Sequence, residues 1–507
     1  MTNPVLHAID KYATLTPDAM ALQGYKTSIS YAALAREITA TQTGFLKNGM
    51  SRIGLLLENG PAWAIIDLAT LSNKSVLVPL ASFFSDQQLL HIISSASLDT
   101  IITDDPGRLM NLLPQARVRP RARIAGHNIW HLSLPATPKT SLPNGTVKIT
   151  FTSGTTGTPK GVCLDETSIS SVALSLSQIM EVTKEDKHMA LLPLSVLLEN
   201  IAGLYVALLR GVPCFLPSLP ELGCEGSRTT DFIRLFTTVK QQHATSIILI
   251  PEMLQALLAI VEQGLELTDL RFIAVGGASV SPALLKKAAD LGLPVYEGYG
   301  LSECASVVAV NTPRSVRTGS VGKILPHLKV AIADNHEILV SGPVYAGYLR
   351  ESVNHCGKTL ATGDLGYVDS DGYLYVTGRK KNVFITSFGR NISPEWIERE
   401  IQAQPPIAQA VVYGESRPWN VAVIVPRKNA TKTQIEDALH TVNRTLPDYA
   451  RVARWLLADE AFTPQNKQYT MNGRPRREQI WNDYGERLNQ LYQSLSVSKT
   501  ENQHEFL

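Results

Sequence analysis

The chain has 507 residues, more than one ordinary hydrophobic core supports, so we expect two or more domains. Hydrophobic residues make up 44% of the sequence and charged residues 18%, with a formal charge of +2, which is typical of a globular protein. This balance excludes a largely disordered chain. It also lacks the basic excess that binding to nucleic acid requires, so we predict no nucleic-acid partner.

The amino terminus has neither the basic start nor the apolar run of a secretory signal, and no apolar stretch reaches the length of about 18 residues that spans a bilayer. The cysteines are scattered without a Cys-x-x-Cys pair, which is unlike a zinc site or a disulfide framework. They are Cys163, Cys214, Cys224, Cys304 and Cys356, and we expect them to be reduced. These features predict a cytoplasmic protein with no transmembrane segment.

Strand and helix patterns alternate over the first part of the chain, up to about residue 300. A buried strand is predicted at 52–57, with a helix at 87–95, and residues 147–151 form another strand. The alternation continues with strands predicted at 189–192, 246–250 and 272–275, each followed by a helix, at 200–209, 252–261 and 282–291. This order predicts βαβ units and a mostly parallel sheet.

The pattern changes near residue 315 to short strands and turns, with strands predicted at 329–332 and 337–340 and a hairpin turn at 369–372. A final α+β unit follows. We therefore predict an α/β protein in which a large N-terminal domain, 1–380, combines βαβ subdomains with a small β-rich subdomain. A smaller, mobile α+β C-terminal domain is predicted at 381–507.

A dense set of hydroxyls and glycines follows the strand predicted at 147–151. The candidate phosphate-binding residues are Thr152, Ser153, Gly154, Thr155, Thr156 and Gly157, with Lys160 close behind. Glycines allow backbone N–H groups to turn towards an anion, hydroxyls add donors, and Lys160 adds a mobile positive charge. The spacing differs from that of a Walker loop, and a plain flexible connector rarely carries so ordered a set of donors. We predict a nucleotide-binding loop.

Further motifs follow this loop in order. They are Gly-Gly-Ala at 276–278, Tyr-Gly-Leu-Ser-Glu at 299–303, Thr-Gly-Asp at 362–364 and Gly-Arg-Lys-Lys at 378–381. In these motifs, and over nearly its whole length, the chain resembles the adenylate-forming superfamily of acyl-CoA synthetases, luciferases and peptide-synthetase adenylation domains. The resemblance implies that a carboxylic acid is activated with ATP to an acyl adenylate, with release of pyrophosphate. The acyl group would then pass to a thiol.

The resemblance also implies roles for the residues around the phosphates. Attack by a carboxylate on a phosphate brings two negative groups together, so fixed cations and donors must offset the charge. Glu303 would hold Mg²⁺, Ser302 would donate to phosphate, and Lys160 would act beside them as a catalytic cation. Arg474 follows a glycine at the position where the family carries a catalytic lysine. Because arginine keeps the charge but changes the geometry, we predict an active enzyme with slower adenylation.

Residues of the other motifs would hold the nucleoside. Tyr299 would stack on adenine against the backbone of Gly277 and Ala278. Asp364 would accept the ribose hydroxyls, and Arg379 would hold the same sugar. Taken alone, Thr-Gly-Asp before a strand is more often a turn, so this assignment depends on the order of the motifs.

Lys381 occupies the position at which members of the superfamily hinge, so the C-terminal domain would rotate between adenylation and thioester formation. A lysine in a basic cluster is otherwise usually a solvated charge. After rotation, Gly389, Arg390 and Asn391 would approach the active site as the thiol-acceptor loop, with Gly389 leaving room for a pantetheine arm. The implied acceptor is CoA or the phosphopantetheine of an acyl carrier protein.

Val196 stands where many acyl-CoA synthetases have a histidine that borders the acyl site. Valine would give an apolar wall, which favours an aliphatic or aryl acid over an amino acid, although 196–198 would serve equally well as core residues of a helix. The segments 79–85 and 390–395 look most like long-chain fatty acyl-CoA synthetases. Two alternatives stay open: a ligase that charges a carrier protein, and a nucleotide-binding sensor or scaffold that has lost catalysis, which Val196 and Arg474 motivate.

Overall fold

The computed structural model describes residues 3–46, 51–152, 160–225, 229–351, 359–470 and 473–493. A largely parallel sheet contains, in spatial order, Lys323–Ile324, Ala309–Val310, Val295–Tyr299, Phe272–Val275, Ser246–Leu249, His188–Met189, Cys214–Phe215, Met20–Gln23 and Ser28–Ser30. Its middle strands carry continuous apolar residues because both faces are covered, and Ile247 pairs there with Ile273. The sheet is the one that the alternating pattern predicts.

A second sheet contains, in spatial order, Gly347–Tyr348, Lys160–Asp165, Thr146–Thr152, Val76–Pro79, Arg52–Leu56, Thr100–Thr103, His127–Ser133 and Arg117–Ile124. Every residue of Arg52–Leu56 is buried, as expected for the strand predicted at 52–57. Thr146–Thr152 and Lys160–Asp165 pair in antiparallel fashion, which sets Thr152 opposite Lys160. The other candidates of the predicted phosphate loop, Ser153, Gly154, Thr155, Thr156 and Gly157, lie outside the described residues.

The β-rich part predicted from about residue 315 is an antiparallel sheet of Lys329–Ile332, Glu337–Ser341, Leu360–Val368 and Leu374–Arg379. Its last hairpin turns at Asp369, whose Oδ1 accepts the N–H groups of Asp371 and Tyr373 at 3.0 and 2.9 Å. Gly372 takes a positive φ of 83° there, which favours glycine. The predicted turn at 369–372 is therefore present.

The chain after Arg379 forms a short two-stranded sheet, a three-stranded sheet and several α-helices, of which Arg477–Gln493 is the last. Phe384–Ile385 pairs with Asn391–Ile392, and a separate sheet contains Ile407–Tyr413, Asn420–Pro426 and Val452–Leu457. Buried apolar residues of this sheet pack with helices on either side in two clusters. The α/β class and the small α+β C-terminal part both agree with the prediction. Cys224–Glu225 pairs with Thr229–Thr230 in a separate two-stranded antiparallel sheet.

The α-helices of the described ranges are Pro4–Leu15, Tyr31–Ala40, Pro61–Asn73, Asp86–Ala96, Pro106–Leu112, Glu166–Ile179, Val206–Arg210, Phe232–Gln241, Pro251–Glu262, Pro282–Asp290, Pro394–Gln402, Lys432–Thr445 and Arg477–Gln493. Asp86–Ala96, predicted at 87–95, begins with a capping box between Ser85 and Gln88. Wider or tighter helical turns occur at Thr41–Phe45, Leu198–Tyr205, Pro220–Leu222, Ser302–Cys304 and Asp448–Ala450.

The helix predicted at 200–209 differs from expectation, because Leu198–Tyr205 is a π-helix and only Val206–Arg210 is α-helical. A buried polar cluster holds the wider turns. Lys148 Nζ lies 2.8 Å from Asp67 Oδ1, with both side chains fully buried. Asn200 Nδ2 and the Tyr205 hydroxyl donate to Asp67 Oδ2 at 3.0 and 2.7 Å. The cluster joins Leu198–Tyr205 to the strand Thr146–Thr152, which precedes the predicted phosphate loop.

No helix among the described residues is long and apolar enough to cross a membrane. Cys163, Cys214 and Cys304 are buried free thiols and Cys224 is half-buried, which fits the expectation of reduced cysteines. Cys356 lies outside the described residues.

Candidate active site

One cavity of about 600 Å³ begins at the carboxyl ends of the parallel strands and brings most of those predicted site residues together that the structure describes. The predicted residues that line it are Thr152, Lys160, Val196, Gly277, Tyr299, Ser302, Glu303, Arg379, Lys381 and Arg474. Asp364 lies directly behind Tyr299 and Arg379, and Ala278 follows Gly277 in the chain. Residues from distant motifs therefore share one site.

An ionic and hydrogen-bonded cluster lies at the predicted sugar end of this cavity. The Arg379 Nε lies 2.6 Å from Asp364 Oδ1, and the Tyr299 hydroxyl donates to Asp364 Oδ2 at 2.7 Å. Asp364 and Arg379 are paired residues of neighbouring strands, so the sheet register sets this contact. Burial and the Asp364 carboxylate raise the pKa of Tyr299 well above its usual value, which keeps the hydroxyl as a donor.

The Thr-Gly-Asp turn is held by residues that carry no recognisable motif. Gly363 takes a positive φ of 71°, and its N–H donates to Glu337 Oε1 at 3.0 Å. Lys380 Nζ lies 2.8 Å from the other oxygen of Glu337. The hydrogen bond from Lys380 lowers the pKa of Glu337. Together these contacts fix the strand ends that carry Asp364 and Arg379.

Glu303, the candidate metal ligand, lies in the short turn Ser302–Cys304. The Tyr348 hydroxyl donates to its Oε1 at 2.8 Å, and Lys160 Nζ lies 5.6 Å from the centre of the Tyr348 ring. Burial and the Glu303 charge raise the pKa of Tyr348. A Cβ at Gly300 would overlap the backbone of Ser306, so the approach to this turn requires glycine.

Arg474 reaches the cavity from the C-terminal part of the chain. Its Nη2 donates to the Gly277 carbonyl oxygen at 3.3 Å, and Gly277 has a positive φ of 86°. A tight turn presents the side chain, because the Arg474 N–H donates to Thr470 Oγ1 at 3.0 Å. Burial and the charge of Arg379 lower the pKa of Arg474. Arg474 therefore lies in the same cavity as Lys160 and Glu303, and its catalytic role stays a prediction.

Lys381 and the predicted thiol-acceptor loop lie in different surroundings. Lys381 lines the cavity, and partial burial together with Arg379 and Arg474 lowers its pKa. Gly389, Arg390 and Asn391 are exposed at the turn of the hairpin after Lys381 and do not line the cavity. Gly389 has a positive φ of 71°. Arg474 therefore lies at the predicted nucleotide end of the cavity, and this hairpin does not.

A mostly apolar channel continues the cavity away from the predicted nucleotide end. Val196 and Leu198 line it, and so do the small residues Ala202, Gly203 and Ala207 of the following helical turns. On the same segment, buried core residues face the opposite way: Ile201, Leu204, Tyr205 and Leu208. The segment is thus both core and channel wall, and the two interpretations of 196–198 are not exclusive.

Several residues of the site could not be found from the sequence. Tyr348 and Glu337 carry no motif, and each gains its role from a partner far away in the chain. The buried pair of His188 and Glu199 also carries no motif, although its two residues are only 11 positions apart. His188 Nε2 lies 2.7 Å from Glu199 Oε1, and the Leu191 and Leu192 N–H groups donate to Glu199 Oε2 at 3.2 and 3.0 Å.

Residues 9–349 match the family described as AMP-binding enzyme, and residues 381–496 match the AMP-binding enzyme C-terminal domain. The chain belongs to the AMP-binding enzyme family. The resemblance to adenylate-forming ligases is thereby confirmed, and an enzyme of the AMP-forming acid–thiol ligase class is supported over a bare nucleotide-binding scaffold.

Curated relatives in this AMP-binding family are named as CoA ligases of different acids. The long-chain-fatty-acid–CoA ligase FadD15 of Mycobacterium bovis is 27% identical over 478 residues, covering 80% of this chain and 78% of its own. The indoleacetate–CoA ligase of Aromatoleum aromaticum is 25% identical over 515 residues, covering 93% and 96%. The acids in these names differ, so the names leave the acid of this AMP-binding enzyme undecided.

A solved structure shares the fold of this AMP-binding enzyme. The anthranilate CoA ligase AuaEII, in complex with anthranoyl-AMP, aligns with a TM-score of 0.78 at 16% identity, covering 94% of this chain and 96% of that one. The likeness supports the predicted architecture of a large N-terminal and a smaller C-terminal part.

Proposed function

We propose that this enzyme activates a long, unbranched carboxylic acid with ATP to an acyl adenylate and then transfers the acyl group to the thiol of CoA. The observation that carries the proposal is that the cavity with the nucleotide-site residues continues as an apolar channel past Val196. An acid lying in this channel would present its carboxylate to the cations at the other end. The relatives named as long-chain-fatty-acid–CoA ligases support the same acid class.

The length of the channel favours an extended acid over a compact aromatic one. Arg271 and Gly277 both line the cavity, on either side of the strand Phe272–Val275. At about 3.3 Å per strand residue, the cavity spans ~20 Å between them, of which the part next to Gly277 belongs to the predicted adenine site. A zigzag of 1.5 Å bonds advances roughly 1.3 Å per carbon, so the rest of this span fits an acid of about ten carbons or more.

The residues at the nucleotide end have the charges that adenylation needs. An oxygen of the acid carboxylate bonds to the α-phosphorus of ATP, and the bond from that phosphorus to the bridging oxygen of pyrophosphate breaks. Lys160 and Arg474 both line the cavity, and they would place positive charge beside the attacking and leaving groups, which would offset the repulsion between them. Asp364 and Arg379 would hold the ribose and so fix the α-phosphate relative to the acid.

Mg²⁺ fits this site through Glu303. The Tyr348 hydroxyl holds one oxygen of Glu303 and orients the carboxylate in the cavity. The described residues contain no cluster of three or more His, Cys, Asp or Glu side chains that could cage a metal. A single carboxylate suits Mg²⁺ that is bound mainly by nucleotide phosphates, where it would neutralise phosphate charge.

Transfer to CoA would follow in the same cavity. The thiol sulfur bonds to the carbonyl carbon of the acyl adenylate, the bond to AMP oxygen breaks, and the thiol proton is released to solvent. This step would use the rotated arrangement in which Gly389, Arg390 and Asn391 approach the site. A phosphopantetheine on a carrier protein supplies the same thiol and is the alternative acceptor.

The first test is acid-dependent ATP–pyrophosphate exchange over saturated fatty acids, indoleacetate, anthranilate and amino acids. We expect the highest kcat/KM with fatty acids of about ten carbons or more. Glu303→Ala should lower exchange by about 10²-fold or more, because a metal ligand is lost. Glu486→Ala, on the exposed face of the helix Arg477–Gln493, is the matched control.

Exchange that is fastest with an aryl acid would contradict the proposed acid class. Full exchange in Glu303→Ala would contradict the metal role. Adding CoA or a holo acyl carrier protein to the active mixture then separates the acceptors, and thioester formed only on the carrier protein would overturn the CoA assignment.

A further inference from the structure

A pair of charged side chains lines the end of the channel that is farthest from the predicted nucleotide site. Arg271 and Asp186 both line the cavity, at the ends of strands opposite the nucleotide site. Nε and Nη2 of Arg271 donate to Oδ1 and Oδ2 of Asp186, which makes a two-point ion pair. A polar pair therefore faces the last part of an apolar channel.

The ion pair lies at the boundary between the channel and solvent. The Arg271 side chain is 37% exposed, whereas that of Asp186 is 4% exposed. The end of the helix Val206–Arg210 lies at the same boundary. Arg210 Nη2 donates to the Val182 carbonyl oxygen at 3.0 Å, and Val182 lines the cavity. The pair is thus the outermost part of the channel wall.

Further hydrogen bonds hold the pair in place. Arg271 Nη2 donates to the Glu181 carbonyl oxygen at 3.0 Å. Asp186 accepts from the Thr183 N–H at 2.6 Å and from Thr245 Oγ1 at 2.8 Å. An acyl chain that reached this end would have to displace the guanidinium or remove water from it, and desolvating an ion pair is unfavourable.

We propose that the Arg271–Asp186 ion pair closes the far end of the acyl channel and sets the longest acid that the enzyme accepts. The inference rests on the proposed function and adds a specificity-determining residue to it. Methylenes up to the pair are buried against Leu176, Met180 and Val206 and add affinity. The next methylene of a longer acid would contact the Arg271–Asp186 ion pair and would add no affinity.

A second use of Arg271 would be to bind a polar group at the far end of the acid. Its two-point contact with Asp186 argues against this, because the guanidinium charge is already balanced. The two uses predict opposite preferences, since a charge ligand would favour acids with a second carboxylate.

The test compares octanoic, dodecanoic, hexadecanoic and octadecanoic acids, with the matching α,ω-dicarboxylic acids, in wild type, Arg271→Ala and Arg271→Met. The ratio of kcat/KM for hexadecanoic to dodecanoic acid should rise at least about tenfold in Arg271→Ala and less in Arg271→Met. Arg487→Ala removes a similar ion pair, with Asp459 at 2.8 Å, from the helix Arg477–Gln493 and is the control. If Arg271→Ala fails to fold, Arg271→Met carries the test.

Binding of the same acids is measured by calorimetry with an ATP analogue that cannot release pyrophosphate. This readout reports the length limit even if no acid is adenylated, so failure of the proposed function and failure of the inference are distinguishable. An unchanged chain-length profile in both Arg271 variants would overturn the inference. A wild-type preference for dicarboxylic acids that Arg271→Ala abolishes would overturn it as well.

Discussion

Arg474 occupies the position at which the family resemblance predicts a catalytic lysine, so substitutions there show whether arginine can replace lysine in adenylation. It lines the cavity and donates to the Gly277 carbonyl oxygen at 3.3 Å. Arg474→Ala should lower acid-dependent ATP–pyrophosphate exchange by about 10²-fold, because a fixed cation near the phosphates is lost. Arg474→Lys should keep more of the rate than Arg474→Ala.

Arg444→Ala is the control for this prediction, because Arg444 is exposed on the helix Lys432–Thr445. Exchange at the wild-type rate in Arg474→Ala would mean that Lys160 and Arg379 suffice. Equal losses in the Ala and Lys variants would mean that the planar guanidinium, and not the charge, is required.

Glu297 predicts a pH dependence of stability. It is 5% exposed, Val280 N–H donates to its Oε1 at 3.2 Å, and burial raises its pKa from 4.5 to about 7. The folded state therefore binds a proton more tightly than the unfolded state, so stability falls as pH rises from about 4.5 to about 7. The shift corresponds to about 3 kcal/mol.

Glu297→Gln removes this titration. The variant should be more stable than wild type at about pH 8, by up to about 3 kcal/mol, and the difference should shrink towards about pH 5. Urea unfolding across this range measures it, with Glu486→Gln as an exposed control. A difference that stays constant with pH would show that Glu297 does not titrate in this window.

The sequence predicted the motif residues that line the cavity, but it did not predict several residues outside the motifs. The order of the motifs brought Tyr299, Glu303 and Arg379 into one predicted site, and the structure has them in one cavity. Tyr348 and Arg271 were missed because nothing in their local sequence marks them. Each gains its place from a distant strand, and one sequence contains no information on such pairings.

The predicted boundaries of strands and helices were wrong where polar side chains, and not backbone carbonyl groups, accept the backbone N–H groups. The strand predicted at 189–192 ends at Met189, because the next free N–H groups, of Leu191 and Leu192, donate to the Glu199 carboxylate. The apolar pattern at 200–209 predicts an α-helix, whereas the structure has a π-helix first. π-turns often occur at functional sites, and residues of these turns line the apolar channel.

Glycine at 203 explains why the wider turns are tolerated. A Cβ there would overlap Glu199 Oε1 and His188 Nε2, so glycine lets the buried pair sit against the helix. Of these two residues, Glu199 belongs to the same π-helix and His188 comes from the strand His188–Met189. Periodicity over so short a segment cannot distinguish α from π geometry. The existence of a helix was therefore predictable, but its winding was not.

At the scale of the whole molecule, a few contacts hold the C-terminal part against the N-terminal part with Arg474 in the cavity. Gln255 Nε2 donates to the Gln402 carbonyl oxygen at 2.7 Å, and Arg427 Nη2 donates to Gln255 Oε1. Arg399 Nη1 donates to Ser279 Oγ at 2.9 Å. The boundary at 380 and 381 and the hinge at Lys381 stay predictions, because a single arrangement does not display rotation.

Gln255→Ala tests whether these contacts favour adenylation. The variant removes two hydrogen bonds that belong to this arrangement, together worth about 1–3 kcal/mol, so the arrangement should become less populated. Adenylation should slow by roughly fivefold or more, whereas thioester formation from a synthetic acyl adenylate and CoA should not slow. Single-turnover rates of the two half-reactions measure this.

Gln479→Ala is the control, because the Gln479 side chain donates to Asp483 of the same helix, Arg477–Gln493, at 3.0 Å. Equal slowing of both half-reactions would mean that Gln255 supports the fold and not one arrangement of the domains.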